Sequence, residues 1–192
     1  MIHGWEVQGD PEALAELHRR LESWHPDQVG TLLFLHSNGR VLLIEKRRGH
    51  GAGRINGPGG KPEAGESPLA CVLRETWEEV GVRVMDARLA GVFRFLDQES
   101  SDWLGFVFLA EQFDGEPRET EEAIPAWYPD DALPFQRMWE DDRHWLPRLL
   151  AGGRLEGDFL FHDGSLRAHR LRSLPAGEPF AAGDGSRAEN DT

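Results

Sequence analysis

Cysteine and long apolar runs are both scarce in this sequence. Its one cysteine, Cys71, excludes a disulfide within the chain and a cysteine-based zinc site. Apolar runs such as 32–35 and 41–44 are far shorter than the roughly 20 residues of a membrane-spanning helix. The N-terminal stretch carries acidic residues where a signal peptide needs a basic start and an apolar core. We therefore expect a cytoplasmic protein without membrane association.

Basic residues are also few. The 192 residues include 21 Lys and Arg against 34 Asp and Glu, which gives a formal net charge of −13. Such a charge repels DNA and RNA, whose binding relies on clustered Lys and Arg, so we expect no nucleic acid polymer as a partner. A small phosphorylated ligand remains compatible if metal cations lie between the two negative partners. The composition, 39% hydrophobic and 29% charged, is that of a globular chain.

Capping residues, turns and apolar periodicity divide the chain into helices and strands. Asn38-Gly39 between two apolar runs indicates a β-hairpin. Segment 47–65 holds seven Gly and two Pro, which predicts a long loop. The predicted helices are 11–24, 67–80 and 141–150, and the predicted strands are 31–35, 41–44, 82–95, 103–110, 155–161 and 166–174. This mixture predicts the α/β class.

The two ends of the chain differ from its middle. Residues 1–28 are predicted to be an N-terminal helical extension whose helix covers an exposed sheet edge. Residues 29–174 are predicted to form one domain, although the stretch 111–142, with eleven acids against two bases, has no predicted strand. Residues 175–192 are rich in Gly, Ala and acids with a single aromatic residue, which predicts a disordered tail.

The clearest helix, 67–80, gathers carboxylates on one side. Ser67 suits the N-cap, Pro68 the first turn and Gly81 the stop. On a helical projection, one stripe collects Leu69, Leu73, Thr76, Trp77 and Val80, and the opposite wedge collects Glu75, Glu78 and Glu79. We expect the stripe to face the core. Like charges at i, i+4 cost roughly 0.2–0.5 kcal/mol, so the wedge is either a solvated face or a site for divalent cations such as Mg²⁺.

The residues around this helix resemble a family signature. Residues 60–82, GKPEAGESPLACVLRETWEEVGV, resemble a complete Nudix box, in which glycine, charged and hydrophobic residues stand at fixed spacing. Thr76, at a usually aliphatic position, is the one departure. The chain is thus similar to the Nudix hydrolases, which act on nucleoside diphosphates linked to another moiety. This resemblance implies that residues 29–174 form an α/β/α sandwich with a central mixed sheet.

The resemblance also implies roles for individual residues. Glu66 and Arg74 would form a supporting ion pair that orients the helix. Mg²⁺, or Mn²⁺ in its place, would be ligated by the Gly59 carbonyl and the carboxylates of Glu75, Glu78, Glu79 and Glu122. The catalytic candidates are Glu75, Glu79 and Glu122, and of these Glu75 or Glu122 would accept the proton of the attacking water. On its own, Glu122 in the acidic segment 119–122 could equally be an exposed loop acid.

Two further stretches bear on the substrate. Residues 51–61, GAGRINGPGGK, and 134–147, PFQRMWEDDRHWLP, resemble the MutT-like oxidised-purine nucleoside triphosphate diphosphatases, nearest to the animal-type enzymes that remove 8-oxo-dGTP from the nucleotide pool. The resemblance implies that Asn56, Asp141 and Asp142 bind the edge of the base while Trp139 stacks on its face. The nucleotide site would also include Thr31, Lys46, Gly59, Gly60 and Lys61, with Phe95 and Trp103 as further candidates for its wall.

Simpler interpretations of these residues exist. Asp141 and Asp142 also suit the N-cap and first turn of helix 141–150, Trp139 could be a core residue, and Asn56 could be a turn residue.

This sequence also departs from the animal-type pattern. His50, Gly30 and Pro58 stand where that pattern has aromatic residues, and Glu140 replaces a proline. Fewer aromatic walls predict a looser grip on the base.

The expected reaction follows from the resemblance. Water would attack a nucleoside triphosphate with Mg²⁺ bound, releasing the monophosphate and pyrophosphate, with oxidised purine nucleotides as leading substrates. The alternatives are an unmodified nucleoside triphosphate or a nucleotide sugar as substrate, or a module that senses nucleotides without hydrolysis.

Overall fold

The computed structural model describes residues 4–49 and 51–181. Its helices are α1 (Pro11–Glu22), α2 (Pro68–Val80) and α3 (Asp142–Leu150). Its strands are β1 (Trp5–Gly9), β2 (Gln28–Ser37), β3 (Arg40–Lys46), β4 (Ile55–Asn56), β5 (Arg83–Val84), β6 (Arg88–Asp97), β7 (Trp103–Ala110), β8 (Phe113–Asp114), β9 (Ala123–Pro129), β10 (Leu155–His162) and β11 (Ser165–Ser173). Of the helices in these ranges, none is both long and apolar enough to cross a membrane.

The main sheet is mixed and lies between helices. Its strand order is β1-β11-β10-β6-β7-β2-β3-β4, and β9 pairs with β3. The pairs β2–β7 and β6–β10 are parallel, whereas the other pairs are antiparallel. Successive residues of a strand point to opposite faces, so Phe34 packs with α3 while Leu33 and Leu35 pack on the side of α2. The predicted α/β/α sandwich is confirmed.

Local signals located the first hairpin and the long helix accurately. Asn38 and Gly39 both adopt positive φ, 53° and 69°, as the tight turn between β2 and β3 requires. Helix α2 begins after Ser67, whose side chain accepts a hydrogen bond from the Ala70 N–H, and ends at Gly81 with φ 72°.

Two strand predictions were wrong. The predicted strand 82–95 is divided into β5 and β6 by residues 85–87. Strand β9 lies in the acidic stretch where no strand was expected. Its Pro125 and Pro129 argue against a strand in general, but a strand at the margin of a sheet tolerates proline.

The N-terminal residues belong to the same sheet as the rest of the domain. Strand β1 pairs with β11 and forms the sheet edge, so β1 covers this edge and α1 does not. Helix α1 lies instead on a face of the sheet, where Leu17 packs with Leu96 and Leu160. The expectation of a purely helical extension over residues 1–28 is therefore wrong.

Part of the segment 175–192 that was predicted to be a disordered tail packs on the domain. Phe180 is buried against the core on the α2 side, and the Arg154 guanidinium lies 4.6 Å from its ring centroid. The main-chain N–H of Ala181 donates to the Glu156 carboxylate. Residues 175–181 therefore pack on the domain, while 182–192 lie outside the described residues.

Truncating Leu17 tests whether α1 is integral to the fold. Because Leu17 is fully buried, Leu17→Ala should lower the free energy of unfolding by about 2–5 kcal/mol. Leu69→Ala is the matched control, since Leu69 on α2 is 41% exposed, and it should change stability by no more than about 0.5 kcal/mol. Urea unfolding followed by circular dichroism measures both; equal stability of the two variants would contradict the packing of α1.

Candidate active site

Helix α2 buries a different face from the one that its apolar residues predict. Leu69 and Trp77 are 41% and 44% exposed, and the Arg83 guanidinium lies 5.0 Å from the ring centroid of Trp77. The buried positions are Pro68, Cys71, Val72, Thr76, Glu79 and Val80. On a helical projection, Glu79 lies in the middle of these positions. Within the expected core stripe, Thr76 and Val80 are buried and Leu73 packs against the core, whereas the prediction is wrong for Leu69 and Trp77. The helix turns a carboxylate towards the sheet.

The Glu79 carboxylate is held by two donors. Its side chain is 2% exposed, one oxygen accepts a hydrogen bond from the Gly59 N–H at 2.8 Å, and the other lies 3.2 Å from the Lys46 ammonium. Burial raises the pKa of Glu79, while the charge of Lys46 and the Gly59 N–H oppose this rise. A buried carboxylate is costly unless it is paired and hydrogen-bonded, so both partners are needed.

Lys46 also binds the loop that precedes α2. Its ammonium donates to the Gly59 carbonyl oxygen at 2.9 Å. One cation thus contacts a carbonyl and a carboxylate that the family resemblance assigns to a metal ion.

The glycine loop fits closely between β2 and α2. The Thr31 N–H donates to the Gly60 carbonyl and the Leu33 N–H to the Pro58 carbonyl, both at 2.8 Å. A Cβ on Gly59, whose φ is +153°, would lie 2.0 Å from the Thr31 carbonyl oxygen. A Cβ on Gly60 would lie 2.4 Å from the Glu75 carboxyl carbon. Glycine is therefore required for the backbone to reach both carboxylates.

Arg74 connects the remaining carboxylates of the box. Its Nε and Nη2 each donate to a different oxygen of Glu66 at 2.9 Å, and its Nη1 donates to Glu75 at 2.9 Å and Glu78 at 3.0 Å. The guanidinium holds the pKa of Glu66 down at about 2. This bidentate pair is the supporting ion pair that the resemblance implies, and it also orients Glu75.

The oxygen donors next to Gly59 suit a hard cation such as Mg²⁺ or Mn²⁺. Gly59 and Gly60 bring the carbonyl oxygen, Glu79 and Glu75 together through the contacts described above. Glu78 is half exposed beside Arg74. Within residues 4–49 and 51–181, no group of three or more His, Cys, Asp or Glu side chains is arranged to hold a metal ion.

Glu122 is paired with a cation of its own. Its carboxylate forms an ion pair with Arg48 and is 35% exposed. The nearby Thr120 hydroxyl donates to the Glu79 carbonyl oxygen at 2.9 Å and fastens this loop to the end of α2.

A cavity of about 290 Å³ opens beside the glycine loop. It is lined by all the residues predicted to contact the nucleotide, namely Thr31, Lys46, Asn56, Gly59, Gly60, Lys61, Trp139, Asp141 and Asp142. Phe95 and Trp103 line it as well. The structure thus brings these residues together; their roles in binding stay predictions.

Two glycines make room for the aromatic wall of the cavity. Gly30 and Gly105 are register partners on β2 and β7. A Cβ on Gly30 would lie 3.3 Å from the Trp103 ring, and one on Gly105 would lie 2.8 Å from the Phe95 ring. Trp103 therefore provides an aromatic surface beside position 30, where the related pattern has its own aromatic residue.

Asp141 and Asp142 are 3% and 1% exposed. Asp141 accepts a hydrogen bond from the Trp145 indole N–H at 2.8 Å, and Asp142 accepts one from the Trp139 main-chain N–H at 3.0 Å. Burial raises the pKa of Asp141 to about 6, and burial together with the charge of Asp141 raises the pKa of Asp142 well above its ordinary value. Two such neighbours do not both ionise readily near neutral pH.

The structure bears differently on Asp141 as an N-cap residue and on Asn56 as a turn residue. Asp141 stands at the N-cap position of α3, but its side chain makes no capping hydrogen bond within the described residues. Asn56 does accept a hydrogen bond from the Gly57 N–H at 2.8 Å, as a turn residue would. It still lines the cavity.

Sequence reasoning missed Arg54. Its guanidinium carbon lies 4.2 Å from the Trp139 ring centroid, and its Nη1 donates to the Met138 carbonyl oxygen at 3.1 Å. The one sequence signal was its position between Gly53 and Ile55, inside the stretch 51–61 that resembles the related enzymes. Position 50, predicted to matter for the pocket wall, lies outside the described residues.

Comparisons with known proteins identify the family of this chain. Residues 24–149 match the model of the NUDIX domain. The chain is 39% identical over 146 residues to an oxidized purine nucleoside triphosphate hydrolase of Mus musculus, covering 75% of this chain and 94% of that protein. A protein of the same description from Danio rerio is 39% identical over 136 residues, covering 69% of this chain and 87% of the relative.

A solved structure gives the same result for the fold. The crystal structure of a MutT protein from Bacillus halodurans superposes with a TM-score of 0.66 at 33% identity, covering 79% of this chain and 99% of that chain.

Alanine at the two loop glycines should have different effects. Gly59→Ala pushes a Cβ against the Thr31 main chain, so it should lower the free energy of unfolding by more than about 2 kcal/mol. Gly60→Ala meets only the end of the Glu75 side chain, so it should remain folded while displacing that carboxylate and weakening Mn²⁺ binding. Thermal unfolding and calorimetric titration with Mn²⁺ measure the two effects. Unchanged Mn²⁺ affinity in Gly60→Ala would refute the assignment of Glu75.

Proposed function

Because this chain belongs to the NUDIX domain family and is a Nudix hydrolase, we propose that it hydrolyses oxidised purine nucleoside triphosphates to the monophosphate and pyrophosphate. This activity would remove damaged precursors from the nucleotide pool. The relatives described above, named for oxidized purine nucleoside triphosphates, support this substrate class.

One observation carries the proposal: a single cavity is bounded both by the glycine loop next to Glu75 and Glu79 and by the buried pair Asp141–Asp142. A nucleoside triphosphate needs the same two environments, oxygen donors and cations for its phosphates and a dry polar surface for its base. Their union in one cavity supports a nucleotide as the ligand.

The buried acid pair suits the edge of an oxidised purine. With raised pKa values, the pair can keep one proton and offer a donor and an acceptor side by side. The Asn56 amide offers both kinds of group as well. A base with the wrong edge would leave buried polar groups unpaired, at about 1–3 kcal/mol for each group.

The other part of the cavity suits phosphates. Lys46 and Lys61 line it with positive charge, and the main chain of Gly59 and Gly60 can approach a ligand closely. Nudix hydrolases generally use divalent metal ions, and we assign Mg²⁺, with Mn²⁺ as a substitute, to the Gly59 carbonyl and the carboxylates of Glu75, Glu78, Glu79 and Glu122. Such an ion, when bound, neutralises phosphate oxygens and makes bound water more acidic.

The residues of the chain would then divide the remaining work. A carboxylate, Glu75 or Glu122, accepts the proton from the attacking water. A metal ion at the Gly59 carbonyl would compete with the Lys46 ammonium for this oxygen, and Lys46 lines the cavity where the phosphates would be. Trp139 stacks on the base.

A substrate panel tests the proposed function. The purified protein with Mg²⁺ should hydrolyse 8-oxo-dGTP with a kcat/KM at least about tenfold above that for dGTP, because an unmatched buried edge costs about 1–3 kcal/mol. ADP-ribose should be a poorer substrate still. Release of pyrophosphate is the readout. Equal rates with dGTP would contradict the sanitising function, and a lack of pyrophosphate release with every nucleotide would favour a sensing module.

Glu79→Gln tests the metal assignment. The substitution keeps the shape of the side chain but removes the charge that would ligate the ion, so kcat should fall by at least about 100-fold while nucleotide binding survives. Glu63→Gln is the matched control, because Glu63 is an exposed acid of the same loop. Near-wild-type turnover in Glu79→Gln would remove Glu79 from the ligand set.

A further inference from the structure

Arg54 makes three interactions at the base end of the cavity. Its guanidinium lies over Trp139 at 4.2 Å from the ring centroid. It donates to the carbonyl oxygen of Met138, the residue before Trp139, at 3.1 Å. Its positive charge also acts on both Asp141 and Asp142. One side chain thus contacts the Trp139 ring and the neighbouring main chain, and its charge acts on the acid pair.

We propose that Arg54 is a positioning residue of the base site, which fixes the indole of Trp139 and the charge of the Asp141–Asp142 pair for an oxidised purine. This inference rests on the proposed function and extends it to a residue that touches neither the phosphates nor the metal ligands.

The stacking geometry restricts where a base can lie. A guanidinium over one face of an indole is a favourable cation–π contact, and a purine that stacks on Trp139 would have to use a face that Arg54 does not cover. Gly51 packs beside the same indole, since a Cβ there would lie 3.7 Å from its nitrogen. The hydrogen bond to Met138 ties the guanidinium to the backbone next to Trp139, so the indole and Arg54 move together.

The charge of Arg54 acts on the acid pair. Arg54 lowers the pKa of Asp141 and of Asp142, against the stronger effect of burial, and Glu140 acts in the opposite direction on Asp141. The other charged residues that line the cavity are Lys46, Lys61 and Asp97. With Arg54 present, one carboxylate of the pair can stay ionised near neutral pH and accept a hydrogen bond from the base. Without it, the pair becomes protonated at a higher pH and loses that acceptor.

Two substitutions separate the stacking of Arg54 from its charge. Arg54→Met keeps much of the side-chain length but removes the charge and the planar group. Arg54→Lys keeps the charge but loses the planar guanidinium. Arg83→Met is the matched control, because Arg83 also lies over a tryptophan, Trp77, but on the exposed surface of α2.

Calorimetric titration with 8-oxo-dGMP, without added metal, measures the base site alone. At pH 7, we expect Arg54→Met to bind at least about three- to tenfold more weakly than the wild type, Arg54→Lys to be intermediate, and Arg83→Met to be unchanged. Thermal unfolding of each variant shows that the protein is folded during the titration.

The pH dependence of the same titration provides a readout that loss of packing alone would not change. Binding should weaken on the acid side as Asp141, with a pKa of about 6, becomes protonated. Because Arg54 lowers the pKa of the pair, the pH at which binding weakens should rise by up to about one unit in Arg54→Met. It should stay at the wild-type position in Arg54→Lys and Arg83→Met.

Each contrary outcome has a distinct meaning. Unchanged affinity in Arg54→Met, together with weakening of binding at the same pH as in the wild type, would overturn the inference. Tighter binding would also overturn it, because Arg54 would then occupy the face that the base uses. An equal loss in Arg83→Met would assign the effect to general destabilisation. If the wild-type protein itself does not bind 8-oxo-dGMP, the proposed function fails, and the inference fails with it.

Discussion

The structure of the site depends on one buried carboxylate. Glu79 lies at the centre of the buried face of α2, where a carboxylate is tolerated only with close partners. The Gly59 N–H and the Lys46 ammonium supply them. The glycine loop therefore has to run against β2 and carry no side chain at Gly59. Lys46 has to extend from the end of β3. Helix α2 has to expose apolar residues that would otherwise enter the core. The helix thus loses apolar burial to place an oxygen donor at the cavity.

A different basic residue acts on each group of acidic residues in the site. Lys46 serves Glu79, Arg74 serves the other box carboxylates, and Arg54 acts on the pair Asp141–Asp142. A chain with a net charge of −13 therefore holds acids in and beside one cavity by placing single positive charges among them. The proposed function requires the ammonium of Lys46 to share these oxygen donors with a metal ion.

Local sequence signals predicted much of this molecule. The caps of α2, the Asn38-Gly39 turn and the order of the main elements follow from short-range chemistry, and the family pattern led to residues that share one cavity. Apolar periodicity failed in part on α2, because the carboxylate of Glu79 lies on the buried face while Leu69 and Trp77 are exposed. Strand β9 was missed because it contains prolines, which a strand tolerates only at the margin of a sheet. The contact of Arg54 with Trp139 joins residues far apart in sequence, so it required the fold.

The central claim is that the oxygens held by the glycine loop and α2 form a cation site. A crystal structure with Mn²⁺ and a non-hydrolysable nucleotide, using the anomalous signal of the metal, tests it most directly. We predict a Mn²⁺ peak within about 2.0–2.4 Å of the Gly59 carbonyl oxygen and of carboxylate oxygens of Glu75 and Glu79, with the Lys46 ammonium moved from Gly59 to a phosphate. A structure in which Lys46 still bridges Gly59 and Glu79 while Mn²⁺ and the nucleotide bind elsewhere would contradict the account.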